Sequence, residues 1–152
     1  MAVLRRAVAE DVAAIERVAL AAYSPYLPRM GGQRPGPLDA DYAAAVADHE
    51  TWVVDEDGEV VGYLVVVTEL DALLLDNVAV LPTHHGRGVG RALLELAEER
   101  ALASGRTRIR LFTHVSMVEN QRLYERIGYV ETGRATEDDR TRVFYEKVLT
   151  RP

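Results

Sequence analysis

Three glycines, Gly86, Gly88 and Gly90, stand at every second position between the short apolar run Val78-Ala79-Val80 and an apolar-periodic stretch over 89–103. Glycine lets the backbone bend tightly and bring its N–H groups close to a ligand with no Cβ in the way. A helix start adds unpaired donors and the positive end of a dipole. Pro82 ends the preceding strand, because proline cannot donate to a ladder. Strand, glycine loop and helix start together form an anion cradle suited to phosphate. Two familiar phosphate loops do not fit. The dinucleotide fingerprint needs glycine three residues after Gly88, where the chain has Arg91, and no Gly-Lys-Ser/Thr closes the loop as in a P-loop. The plainer reading of the same residues is a glycine turn ahead of a helix with no ligand.

Other side chains could supply proton chemistry. Asn120 and Tyr124 lie four apart in a helical stretch over 117–127 and project from one face. Asp76 falls on the strand over 73–80, on the face expected for Val78. His114 follows the strand over 108–113, and an imidazole with a pKa of about 6.5 suits base chemistry near neutrality. The chain has no cysteine, hence no thiol nucleophile and no disulfide framework. No Ser-His-Asp spacing stands out, so covalent catalysis is not expected. Four histidines without cysteine disfavour a structural zinc site, and no metal is expected.

The elements that must position these residues follow from pattern. With 152 residues, 48% hydrophobic and 28% charged, the chain suits one domain, 1–152, with a sizeable core. Val12, Ile15, Val18 and Ala22 recur at helical spacing behind a short strand over 3–6. Residues 23–37 hold four prolines and three glycines, a long irregular segment of the kind that lines sites. Asp39 is the expected cap of an alanine-rich helix over 40–48. Strands over 51–55 and 59–67 join at Asp57-Gly58, a strong hairpin signal. The strand over 108–113 alternates, with Ile109 and Leu111 to the core. In the helix over 117–127, Leu123 and Ile127 are expected to face inward. Strands over 129–133 and 142–148 close the chain around a charged turn. The order β-α-α-β-β-β-α-β-α-β-β describes an α/β (α+β) domain with a central antiparallel meander.

The strand ending Val-x-Pro and the run His85-Gly86-Arg87-Gly88-Val89-Gly90 resemble the acetyl-CoA loop of the GNAT superfamily of N-acetyltransferases, Gln/Arg-x-x-Gly-x-Gly/Ala. His85 departs from that pattern at its first position. A second signature of the same superfamily, Asn four residues before Tyr and then a Gly-aromatic pair, is matched by Asn120, Tyr124, Gly128 and Tyr129. The terminal TRVFYEKVL resembles the closing strand of these enzymes. The matches cover most of 51–149. The resemblance implies the GNAT mixed, largely antiparallel sheet flanked by helices, with acetyl-CoA as cofactor. It implies that the backbone of Val78, Ala79 and Val80 pairs with the pantetheine arm. Amides from Gly86 to Arg91 would hold the pyrophosphate, with Arg87 and Arg91 adding charge.

The resemblance further implies direct acetyl transfer to an amine through a tetrahedral intermediate. Tyr124 would give a proton to the leaving thiolate, and Asn120 would bond the cofactor. The base is Asp76, acting through a water, or His114, on strands expected to diverge around the thioester. Tyr26 and Met30 are expected in the acceptor wall. The acceptor is a small metabolite, an amino acid or a peptide N-terminus; for a cationic one, Asp71, Asp76 and Glu119 offer countercharge. An inactive CoA-binding sensor is the alternative. Net charge −6 disfavours nucleic acid, and no run approaches the about 18 apolar residues of a membrane span. A cytoplasmic location and a homodimer complete the expectations.

Overall fold

In a computed structural model describing residues 1–150, seven strands and five α-helical segments follow one another, with three short 3-10 turns between them. They are β1 (Ala2–Arg6), α1 (Val12–Tyr23), a single turn α2 (Gly36–Asp39), α3 (Tyr42–Asp48), β2 (Glu50–Glu56), β3 (Glu59–Thr68) and β4 (Leu73–Val80). Then come α4 (Val89–Ala103), β5 (Arg108–His114), α5 (Val118–Arg126), β6 (Val130–Glu137) and β7 (Arg140–Val148). One mixed sheet takes them in the order β1-β2-β3-β4-β5-β7-β6. Every neighbouring pair is antiparallel except β4 and β5.

Helices cover both faces of this sheet, which is why β3 reads as an almost unbroken apolar run. Val61, Leu64 and Val66 look to one core with Leu93, Leu94 and Ala97 of α4. Val60, Tyr63 and Val65 look to the other with Ile15 and Val18 of α1. Alternate residues of a strand face opposite ways, so a strand inside such a sandwich has no polar side. Gly62 lets α4 come down onto β3: a Cβ there would stand 3.1 Å from Val89 Cγ1 and 3.2 Å from the Ala79 carbonyl.

Three expectations about the elements need correction. Asp41, not Asp39, caps α3, accepting the Ala44 N–H at 2.9 Å, while Asp39 pairs with Arg34. In α5 the buried residue is Tyr124; Leu123 is exposed, because the helix sets its Asn120–Tyr124 face against the sheet. The closing hairpin is longer than its apolar residues suggested, running to Glu137 and resuming at Arg140. Asp138 and Asp139 both take the left-handed conformation of a two-residue turn, which aspartate tolerates.

Candidate active site

The site begins where β4 and β5 part. They pair in parallel only at Leu73–Ile109 and Leu74–Arg110, then separate and open a cleft in mid-sheet, as the family resemblance implied. A bulge in β4 lies at this point. Val65 stands opposite Asn77 and Val66 opposite Leu75, so Asp76 is the extra residue. The slip shifts the alternation by one. Leu73 and Leu75 share a core with Val78 and Val80, whereas Ala79 joins the opposite one. The expected common face for Asp76 and Val78 is broken by this bulge.

Beyond the bulge the strand's hydrogen-bond phase is fixed by the Leu81 N–H, which donates to the Val61 carbonyl at 2.8 Å. In an antiparallel pair, residues exchange backbone bonds at every second position. Ala79, opposite Tyr63, therefore spends its N–H and C=O on β3, so it is not free to pair with a ligand as expected. Val78 and Val80, opposite Leu64 and Gly62, turn theirs toward the cleft. One of these groups is already taken: the Tyr23 hydroxyl donates to the Val78 carbonyl at 2.7 Å. Tyr23 was not singled out by the sequence, since nothing local ties it to a strand 55 residues away.

At the end of β4 the glycine loop delivers an uncapped helix. Gly88 is the N-cap of α4, in the left-handed conformation at φ 82°, and no side chain caps the helix. The first N–H groups of α4 thus lack intrahelical acceptors and face outward with the dipole's positive end. Gly86, at φ 78°, makes the preceding bend. His85 and Arg87 are exposed on the loop, and Arg91 is exposed but held to Glu95 at 3.1 Å. His84 turns away to Glu56, at 3.1 Å.

From the other side α5 brings Tyr124 and Asn120 into the cleft. Tyr124 is buried edge-on against Tyr129, and its hydroxyl takes part in none of the side-chain hydrogen bonds among the described residues. Burial, and secondarily the nearby Tyr26, pushes its phenol well above the ordinary value. Asn120 makes only a long contact to Met117 Sδ, at 3.7 Å.

The two base candidates occupy opposite walls and differ in readiness. Asp76 is solvent-accessible, yet the cleft crowds it, and this desolvation raises its carboxyl above the usual range against a smaller opposing pull from His49. His114 is tied at both nitrogens. Its Nδ1 accepts the Ser116 N–H at 3.0 Å, so Nε2 carries the proton and donates to Gln33 Oε1 at 2.9 Å. Desolvation first, then Arg140 and Arg142, lowers its pKa. The neutral ring is favoured, but its lone pair is already engaged.

Segment 24–35, expected to be irregular throughout, opens with a 3-10 helix over Ser24–Arg29 and roofs the cleft. Met30 lines it as expected; Tyr26 does not, lying instead under the Arg29 guanidinium at 5.3 Å. Arg29 neutralises Glu119 at 2.7 Å, which removes that carboxylate as free countercharge. Gln33 also donates to the Asp139 carbonyl at 2.6 Å, and Arg140 to the Arg34 carbonyl at 2.9 Å, so the roof is fastened to the β6–β7 hairpin. Beneath it Tyr42, Tyr63 and Asn77 form a buried hydrogen-bonded cycle, each contact 2.8 to 2.9 Å, which pins the bulge to α3. Among the described residues no helix is long and apolar enough to cross a membrane.

Comparison with known proteins agrees with this geometry. The sequence model of the acetyltransferase (GNAT) family matches residues 9–129. Comparison with curated proteins finds no match. Among solved structures, the PaiA N-acetyltransferase from Thermoplasma acidophilum, in complex with coenzyme A, aligns over 97% of this chain and 99% of its own at 15% identity and TM-score 0.82. The ribosomal-protein-S18-alanine N-acetyltransferase from Escherichia coli aligns over 100% and 96%, at 18% identity and TM-score 0.77. Nourseothricin acetyltransferase aligns over 98% and 99%, at 23% identity and TM-score 0.74. At these identities the likeness is one of fold.

Proposed function

This chain belongs to the acetyltransferase (GNAT) family, and on that premise we propose that it moves the acetyl group of acetyl-CoA directly onto the nitrogen of an amine. The observation that carries the proposal is the parting of β4 and β5 beside Tyr124. It leaves backbone groups of Val78 and Val80 unpaired by β5, with Val78 and a protonated phenol lining one cleft and the uncapped start of α4 following the end of the same strand.

The residues present fit acetyl-CoA. The outward N–H groups at the start of α4 suit its pyrophosphate, which backbone amides beside glycine approach closely. Val80 and the Val78 N–H offer an extended arm the pairing that β5 withholds. The Val78 N–H also suits the thioester oxygen, where negative charge grows as the amine attacks. Tyr124 then gives its phenolic proton to the sulfur as the carbon–sulfur bond breaks. The attacking nitrogen must arrive deprotonated, since a free amine is mostly protonated near neutrality. We assign that proton to Asp76, through a water, because its carboxylate is open to the cleft, whereas His114 has no free lone pair. The carbon–nitrogen bond would form first and the carbon–sulfur bond would break from the resulting tetrahedral species. Asp76 would pass the amine's proton to solvent, Tyr124 would regain one from it, and no oxidant or covalent enzyme adduct enters the balance.

Thermal stability with acetyl-CoA, CoA, ATP and NAD side by side tests the cradle. A ligand at about one hundred times its Kd stabilises by roughly 2.7 kcal/mol. Stabilisation by the two CoA species alone, followed by thiol release with amines, is the expected result. CoA binding without acetylation of any amine would make the chain a sensor, and no response to CoA would return the glycine loop to a simple turn.

A further inference from the structure

The acceptor side of the cleft carries two opposite charges that do not meet. Acidic groups outnumber basic ones in this chain, 24 to 18, and arginines near the cleft are mostly paired: Arg29 with Glu119, Arg34 with Asp39, Arg110 with Glu69. Arg140 and Arg142 are the exceptions. Both are half-buried, both line the cleft, and neither has a carboxylate partner among the described residues. Arg140 spends one N–H on the Arg34 carbonyl, and the Arg142 guanidinium lies 4.9 Å over the Phe112 ring. These contacts orient the two side chains but leave most of their donors open.

Strand register explains the placement. Arg142 stands opposite His114 and Phe144 opposite Phe112, and Arg140 lies two residues before Arg142 on the same face of β7. Both arginines line the cleft together with His114, whose pKa they lower after desolvation has done so. Asp76 lines the same cleft from β4 and makes no ion pair with either arginine among the described residues. The cleft thus has a negative pole at the acyl-transfer strand and a positive pole on β7. A half-buried guanidinium without an anion is costly, and a carboxylate matches its planar fork through two parallel bonds.

We propose that the acceptor is an amine that also bears a carboxylate, an amino acid or similar small amino-carboxylate, with its nitrogen toward Asp76 and its carboxylate held by Arg140 and Arg142. The proposal rests on the acetyltransferase reading of the same cleft and goes beyond it in naming the acceptor class.

The test compares the proteinogenic amino acids with their carboxamides as acceptors, by thiol release from acetyl-CoA. A second arm compares thermal stabilisation by the N-acetyl amino acids and by the corresponding N-acetyl carboxamides, with CoA present. The free acids should be preferred by about 10- to 100-fold in kcat/KM, the worth of charge-assisted bonds lost in the amide. R140Q and R142Q should raise KM for the acids and pull the acid-to-amide ratio toward one, and R142K should restore part of it. Amides used as well as acids, or an acid preference that survives in the R140Q/R142Q double variant, would overturn the proposal. If CoA binds and other amines are acetylated but neither the acids nor the amides are, the proposal fails and the acetyltransferase reading stands; if no amine of any kind is acetylated, that reading fails separately. The charged pole then stands or falls on the second arm, where acid-selective stabilisation upholds it and an equal or absent response refutes it.

Discussion

The hydroxyl of Tyr23, the last residue of α1, donates to the carbonyl of Val78 at 2.7 Å. One helix end thereby holds β4 where it leaves β5. It occupies the outward carbonyl of Val78 and leaves the outward N–H of the same residue open, so a single contact decides which polar group the cleft offers. Burial pushes the Tyr23 phenol well above its ordinary value, which keeps the donor neutral.

Tyr23→Phe removes the donor and leaves a half-buried carbonyl unpaired. The expected cost is about 1–3 kcal/mol of stability. Misplacement of the strand at the acyl site should lower kcat by about 10- to 100-fold. Denaturant unfolding and thiol-release kinetics check both; a variant as stable and as fast as the parent would make the contact incidental.

Tyr124→Phe is expected to separate chemistry from folding. The ring packs against Tyr129 and Tyr145 and would be kept by phenylalanine, and the hydroxyl takes part in no side-chain hydrogen bond among the described residues, so stability should change by less than about 1 kcal/mol. Loss of a positioned proton donor should cost about 100- to 10,000-fold in kcat, with acetyl-CoA binding, measured by thermal shift, retained. Because burial raises this phenol, the rate profile should show no alkaline limb from it below about pH 10. A kcat within threefold of the parent would remove Tyr124 from the acid role.

How legible these parts were in the sequence depended on how local their causes are. The glycine loop, the α4 start and the Asn120–Tyr124 face follow from spacing within a few residues, and the splay of β4 from β5 came with the family resemblance. The bulge at Asp76 did not show, because a one-residue slip leaves composition unchanged while moving every later side chain to the other face. The resemblance treats Val78, Ala79 and Val80 alike, and only the register shows that the Ala79 backbone serves β3. Tyr23 and Tyr26 sit three apart in one stretch, and only the packed helix end puts Tyr23 rather than Tyr26 in the cleft. Arg140 and Arg142 carry no local signal either; they matter because a longer hairpin brings them over the cleft.

Asp76→Asn and His114→Asn should divide the base question. Asparagine at 114 puts an acceptor oxygen near the place of Nδ1 and so preserves the Ser116 contact. That variant should keep activity within about tenfold, whereas Asp76→Asn should lose at least about 100-fold. The pH dependence follows from the raised Asp76 carboxyl: kcat/KM should climb as it ionises, with a midpoint above the usual aspartate range. A carboxyl whose folded pKa exceeds its unfolded one stabilises the fold below the unfolded value, and this contribution is lost as pH rises through the folded one. At neutral pH the charged Asp76 therefore weighs against the fold, and Asp76→Asn should raise Tm while lowering the rate. A fall in Tm together with unchanged kinetics would refute both parts.

Gly88→Ala and Gly90→Ala test whether the loop is shaped for its backbone or merely small. An added Cβ at Gly88 meets nothing within 4 Å, so crowding is not the obstacle; the left-handed φ of 82° is. An L-residue there costs about 1–2 kcal/mol. The strain falls on the residue that turns the first N–H groups of α4 outward, so KM for acetyl-CoA should rise as Tm falls. Gly90 lies inside the helix without a positive φ, and its Cβ would sit 3.6 Å from Val80 Cγ2, an ordinary contact. Alanine at 90 should therefore raise stability, by up to about 1 kcal/mol of helix propensity. The two substitutions add the same methyl group two residues apart, and thermal unfolding of the pair should move in opposite directions. Equal destabilisation by both would mean that space around the loop, rather than the left-handed turn at Gly88, sets its glycine content.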